Sequence, residues 1–124
     1  MHILIIDDED VIRSTVGEIL SAEGYDVTLA SNGAEGLKRV REGSFDLVIT
    51  DLFMPEKDGV EVVLELRKSH PHIKIITMSG GGSFRNTASL KTARMLGSTF
   101  TIEKPFTASE LLDLVQKSLA KGNR

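Results

Sequence analysis

The amino-acid sequence predicts an α/β domain: a doubly wound parallel sheet with helices on both faces. Three observations lead there. Short apolar runs rich in β-branched residues recur along the chain, and such runs suit strands buried on both faces. Segments with helical periodicity lie between them. Glycine and proline punctuate the joints. Strand and helix alternate five times, which implies right-handed crossovers. The 124 residues suffice for one domain with one core, expected over 1–121 with a short tail at 122–124.

His2 to Ile6 reads as the first strand. Ile12, Val16, Ile19 and Leu20 then share one helical face, and Gly24 stops that helix. Tyr25 to Ala30 forms the second strand, followed by a turn at Ser31-Asn32-Gly33. Ala34, Leu37 and Val40 space the second helix, which ends at Gly43. Phe45 to Thr50 is the third strand, and Asp51 to Gly59 a loop broken by Pro55. Val60, Val63, Leu64 and Arg67 carry the third helix to Ser69, and Pro71 prevents its continuation. Ile73 to Met78 is the fourth strand, and Ser79 to Ser83 a glycine-rich loop. A fourth helix is expected over about 86–96, with Leu90 and Ala93 facing inward. Thr99 to Ile102 is the fifth strand, and Lys104-Pro105 a turn. Thr107 caps the last helix with Glu110 at its third position, and Leu111, Leu112, Val115 and Leu119 form its buried stripe.

Composition narrows the function classes. Net charge is −3, from 18 acidic and 15 basic residues, without the basic stripe of a nucleic-acid binder. No apolar run is long enough to span a bilayer. The N-terminus lacks the features of a secretory signal. With no cysteine, thiolate chemistry and disulfides are excluded. The expectation is a cytoplasmic protein with neither a direct nucleic-acid partner nor a membrane.

In open α/β sheets, sites form at the carboxyl ends of the strands. There the sequence places Asp7 and Asp8 after strand one, Asp51 after strand three, Ser79 after strand four and Lys104 after strand five. Three converging carboxylates repel one another unless a cation sits among them. Mg²⁺ suits such oxygen donors and neutralises charge on a transferring phosphoryl group. Lys104 offers a point charge to the same group. Asp51 is the natural nucleophile, because carboxylates form acyl phosphates.

At these residues the sequence resembles the receiver domain of two-component response regulators, over essentially its whole length. The likeness rests on ILIIDDED, DLFMPEKDG, MSG and EKPF in order. It implies a flavodoxin-like sheet in strand order 2-1-3-4-5. It implies Asp51 as acceptor of a phosphoryl group from a histidine kinase or histidine phosphotransfer protein, in a Mg²⁺-dependent reaction. Asp8 and Asp51 would bind the metal directly, the backbone carbonyl of Phe53 would be the third protein ligand, and Asp7 would act through water. Ser79 would close on the phosphate, and the Lys104–Pro105 bond would be cis. Met54-Pro55 and Asp58-Gly59 also match. The output it implies is a changed protein-binding face on the fourth helix, fifth strand and last helix. Such a domain is a phosphoacceptor, catalysing only its own phosphorylation and dephosphorylation.

Two features depart from the family pattern. Thr101 stands where a switch aromatic is usual, and Gly80-Gly81-Gly82 lengthens the loop after strand four. Phosphorylation is therefore expected to reorder the segment from Ser79 to about Leu90, with Phe84 and Arg85 as contact residues. The rival readings are a phosphorylation-independent adaptor of the same fold and an Asp-nucleophile phosphohydrolase using Asp8 and Asp10. Several features have plainer readings. Asp10 is expected to cap the first helix, His70-x-His72 to be a loop rather than a metal site, and Phe45 and the methionines to be packing. The glycine run lacks the lysine and hydroxyl of a P-loop. The chain could be a stand-alone regulator that works by docking, or a piece of a longer protein.

Overall fold

A computed structural model describes residues 1–52, 59–80 and 100–120 of the chain. Its elements are β1 (His2–Ile6), α1 (Asp10–Ala22), β2 (Asp26–Ala30), α2 (Gly33–Glu42), β3 (Leu47–Asp51), α3 (Gly59–Ser69), β4 (Lys74–Gly80), β5 (Phe100–Lys104) and α4 (Ala108–Ala120). The five strands form one parallel sheet in the order β2-β1-β3-β4-β5, as expected. The predicted helix over 86–96, the loop residues 53–58 and 81–85, and the tail all lie outside the described residues.

The sheet buries both faces, because alternate residues of each central strand point opposite ways. Leu4, Ile6, Val48 and Ile75 pack with Leu37 and Val40 of α2 and Val62, Val63 and Leu66 of α3. Ile3, Ile5, Ile49, Ile76 and Met78 pack on the other face with Val16 and Leu20 of α1 and Leu111 and Val115 of α4. Each fully buried aliphatic side chain contributes about 1.5–3 kcal/mol of transfer free energy. The alternation of large apolar residues in β1 and β3 is thus what holds the described helices in two layers.

Several local expectations shift. Ala34 is exposed, and Gly33 and Gly36 join Leu37 and Val40 on the buried side of α2. Leu64 is 41% exposed, and α3 buries Val62, Val63 and Leu66 instead. Both stripes are rotated because the helix turns its face toward the sheet, a direction its own periodicity leaves free. β3 runs one residue further than expected, to Asp51, and β5 two further, to Lys104. Ser79 and Gly80 belong to β4 rather than to a loop, lying opposite Glu103 and Lys104 of β5.

Capping follows the sequence at the last helix, adds a cap at α2 and departs from expectation at α1. The Thr107 hydroxyl accepts from the Glu110 N–H at 3.0 Å, and the Glu110 carboxylate accepts from the Thr107 N–H at 2.8 Å. Asn32 caps α2 by accepting from the Glu35 N–H at 2.8 Å, so the predicted turn doubles as a helix start. In α1, Asp10 does not cap. It is the first helical residue and pairs with Arg13 one turn on, while Glu9 holds the cap position without a side-chain cap bond. Gly24 ends α1 at φ +94°, a conformation that other residues rarely adopt.

Candidate functional site

The site is built where the parallel strands end. β1 and β3 lie side by side, so Asp7, just beyond β1, and Asp51, the last residue of β3, emerge together. Asp7 is fully buried and Asp51 nearly so. Asp8 is exposed at the mouth. Each of the three can offer one carboxylate oxygen within 4.8 Å of the others. Among the described residues this is the one group of acidic and histidine side chains arranged so, and His70 and His72 do not join it.

Sheet register decides which side chains share the site. Lys104 is two and four residues beyond Ile102 and Phe100, which pack on the α1 and α4 face, and period-two alternation puts Lys104 on that side. Its ammonium donates to Asp7 Oδ2 at 2.9 Å, to Glu9 Oε1 at 3.1 Å and to Asp51 Oδ2 at 3.4 Å. Burial pulls the Lys104 ammonium toward the neutral form. The hydrogen bond to Asp7 and the charges of Asp51 and Asp7, with help from Glu9, outweigh that and hold its pKa above the usual lysine value. It stays charged at neutral pH.

The other buried groups are held from the backbone side. Asp7 Oδ1 accepts from the Glu9 N–H at 2.9 Å, and the Asp7 carbonyl accepts from Arg13 Nη1 at 2.8 Å. Gly59 starts α3 against the end of β3. A Cβ there would lie 2.2 Å from the Asp51 carbonyl oxygen, so only glycine lets the helix come this close. The Gly59 N–H also donates to the Leu52 carbonyl at 2.9 Å.

Ser79 takes the opposite face. Ile75 packs against α2 and α3, so Ile75, Thr77 and Ser79 share that side of β4, with Thr101 opposite Thr77. Thr101 is half-buried. The Ser79 hydroxyl is fully buried and has no hydrogen-bond partner among the described residues. Phe53 lies outside the described residues. The Lys104–Pro105 peptide bond is cis.

The response regulator receiver domain model matches residues 3–116 of this chain, which carries a half-buried lysine between two strand-end carboxylates on a 2-1-3-4-5 parallel sheet. The chain belongs to the response regulator receiver domain family. The receiver domain of NtrX from Brucella abortus superposes with a TM-score of 0.91 at 31% identity, covering 97% of this chain and 99% of that one. Sporulation initiation phosphotransferase F of Bacillus subtilis (strain 168) is 32% identical over 94% of this chain and 92% of its own length. The DNA-binding transcriptional regulator NtrC of Rhizobium meliloti (strain 1021) is 31% identical over 98% of this chain. This receiver domain spans only 25% of that regulator's length. No described helix of the receiver domain is long and apolar enough to cross a membrane.

Sequence reasoning named Asp7, Asp8, Asp51, Ser79 and Lys104, and the fold brings all but Ser79 into one charged cluster. Glu9 and Arg13, which complete the cluster, were missed by sequence reasoning. The spacing of Asp10 and Arg13 at i and i+3 was a visible signal for Arg13. Glu9 gave none, since its partner is 95 residues away.

Proposed function

We propose that this receiver domain accepts a phosphoryl group on Asp51 from a histidine kinase or phosphotransfer protein and changes its protein-binding surface in response. The observation that carries this reading is Lys104. Its charge is half-buried against Asp51 and Asp7, where a bland surface lysine would have no reason to be.

The chemistry is a displacement at phosphorus. An Asp51 carboxylate oxygen forms the new P–O bond, and the donor's bond to phosphorus breaks. The leaving imidazole of a phosphohistidine, or the acetate of acetyl phosphate, departs with the electron pair. Asp51 is poised because β3 fixes its backbone and Gly59 lets α3 close behind it. Lys104 offers positive charge to the phosphoryl oxygens. Ser79 lies on the other side of β4, and its hydroxyl, without a partner among the described residues, would have to turn toward the group to bind it.

The donor set fits a hard divalent cation. Asp7, Asp8 and Asp51 supply only carboxylate oxygens, and one of them faces solvent, which suits an ion that keeps several waters. Asp8 and Asp51, the Phe53 carbonyl and Asp7 through water would hold Mg²⁺, which when bound neutralises charge on the transferring phosphoryl group. The phosphohydrolase alternative finds less support, because Asp10 is turned away into its pair with Arg13.

The output face would be β5 with α4 and the segment before β5. Thr101 lies on the Ser79 side of the sheet and lacks the bulk to fill space vacated there. The readout then falls to the chain that follows Ser79. The test is mass spectrometry after incubation with acetyl phosphate and Mg²⁺. A single acyl phosphate mapped to Asp51 and lost in Asp51→Asn is expected. Labelling of that variant to the full extent on another residue overturns the assignment.

A further inference from the structure

Lys104 carries three ammonium protons, and three carboxylates stand around it. The three differ in what release would cost. Asp7 is fully buried, and leaving it without the ammonium strands a buried charge. Asp51 is the acceptor itself, so its contact passes to any phosphoryl group it carries. Glu9 is different, because its side chain is 61% exposed and water can take over at once.

The position of Glu9 is unusual for its type. It stands at the cap of α1 with extended backbone, where a carboxylate ordinarily faces the free N–H groups of the first turn. Its side chain makes no such bond. It reaches instead to the end of β5 and holds Lys104 Nζ at 3.1 Å, closer than Asp51 does at 3.4 Å.

We propose that Glu9 is a positioning residue that tethers Lys104 on the α1 side and must release it before the ammonium can donate a second hydrogen bond to a phosphoryl oxygen on Asp51. This rests on the reading of Asp51 as phosphoacceptor. Glu9 thereby restrains phosphorylation, and it does so through Lys104 rather than by touching the donor.

The experiment measures the rate of Asp51 labelling by acetyl phosphate at saturating Mg²⁺, followed by intact-protein mass. Glu9→Gln should raise the rate roughly two- to fivefold, the factor that a released surface ion pair corresponds to. Glu9→Asp should show the gain as well, because its shorter side chain falls back from Nζ while keeping its charge. In a Lys104→Met background, Glu9→Gln should change nothing, since no tether remains to release. An unchanged or slower rate in Glu9→Gln overturns the proposal. So does a gain that persists without Lys104, or a Glu9→Asp protein that behaves as wild type. Circular dichroism checks that each variant is folded, and if Lys104→Met is not, the Glu9→Asp comparison decides. Failure of the wild-type protein to label at Asp51 would instead overturn the phosphoacceptor reading, and the tether with it.

Discussion

The ends of β5 and β4 lie side by side, yet they solve the burial of a polar group in opposite ways. Lys104 closes β5 with its charge matched by Asp7, Glu9 and Asp51. Ser79, near the end of β4, buries a hydroxyl with no partner among the described residues. Unsatisfied buried polar groups are rare because each costs about 1–3 kcal/mol. The contrast teaches which group is already engaged and which is held in reserve. The lysine is matched by three carboxylates, whereas the serine hydroxyl has no partner among the described residues.

The comparison is most strongly stressed by Lys104→Met. Removing one partner of a buried charge set costs on the order of 3–5 kcal/mol, so urea unfolding without Mg²⁺ should show a large loss of stability. A change below about 1 kcal/mol, the worth of an exposed pair, would mean that Lys104 is solvated and the contrast false. The pH dependence has a definite sign. Because folding raises the Lys104 pKa, its contribution is present below the usual lysine value and is lost as pH rises through the folded value. Lys104→Met should flatten that alkaline loss.

Mg²⁺ should stabilise the unphosphorylated protein, because a cation relieves repulsion among Asp7, Asp8 and Asp51. At a hundredfold excess over its dissociation constant the gain is about 2.7 kcal/mol. Asp8→Ala should remove most of it, as read by melting temperature with and without the ion. A full Mg²⁺ response in that variant would place the metal elsewhere.

Ser79→Ala tests the other half of the contrast. Deleting a satisfied buried hydroxyl destabilises, but deleting an unsatisfied one removes a penalty. Stability in denaturant should hold or rise by about 1 kcal/mol, while the stabilisation by beryllofluoride weakens. A loss of 1 kcal/mol or more in the unliganded variant would reveal a partner for the hydroxyl.

The smallest effects are expected at the start of α2, a polar pair satisfied at the surface. Asn32→Ala should cost about 1 kcal/mol through the lost cap. Hydrogen bonds from the Ser31 backbone and hydroxyl hold the Glu35 pKa below its usual range. Its contribution is therefore present above the usual glutamate value and lost as pH falls through the folded value. Glu35→Gln should flatten that slope in acid-unfolding curves, and an unchanged slope would show the bonds to be immaterial.

Local patterns carried the sequence a long way. Apolar runs at His2–Ile6 and Ile73–Met78 marked buried strands because burial on both faces leaves no polar alternation. Strand ends then located Asp7, Asp51 and Lys104, since α/β sheets place sites there. The Thr107 and Glu110 capping box was legible because both partners lie within one turn. What stayed hidden depends on distant partners. Ser79 and Gly80 became strand because they lie opposite Glu103 and Lys104, and no local propensity reports a neighbour across the sheet. The stripes of α2 and α3 fixed helices but not their rotation, so Ala34 and Leu64 turned outward. Glu9 acquired its partner only when β5 came to lie beyond α1. Periodicity and turn chemistry are properties of adjacent residues, whereas the pairing of charges across the sheet exists only once the chain has closed on itself.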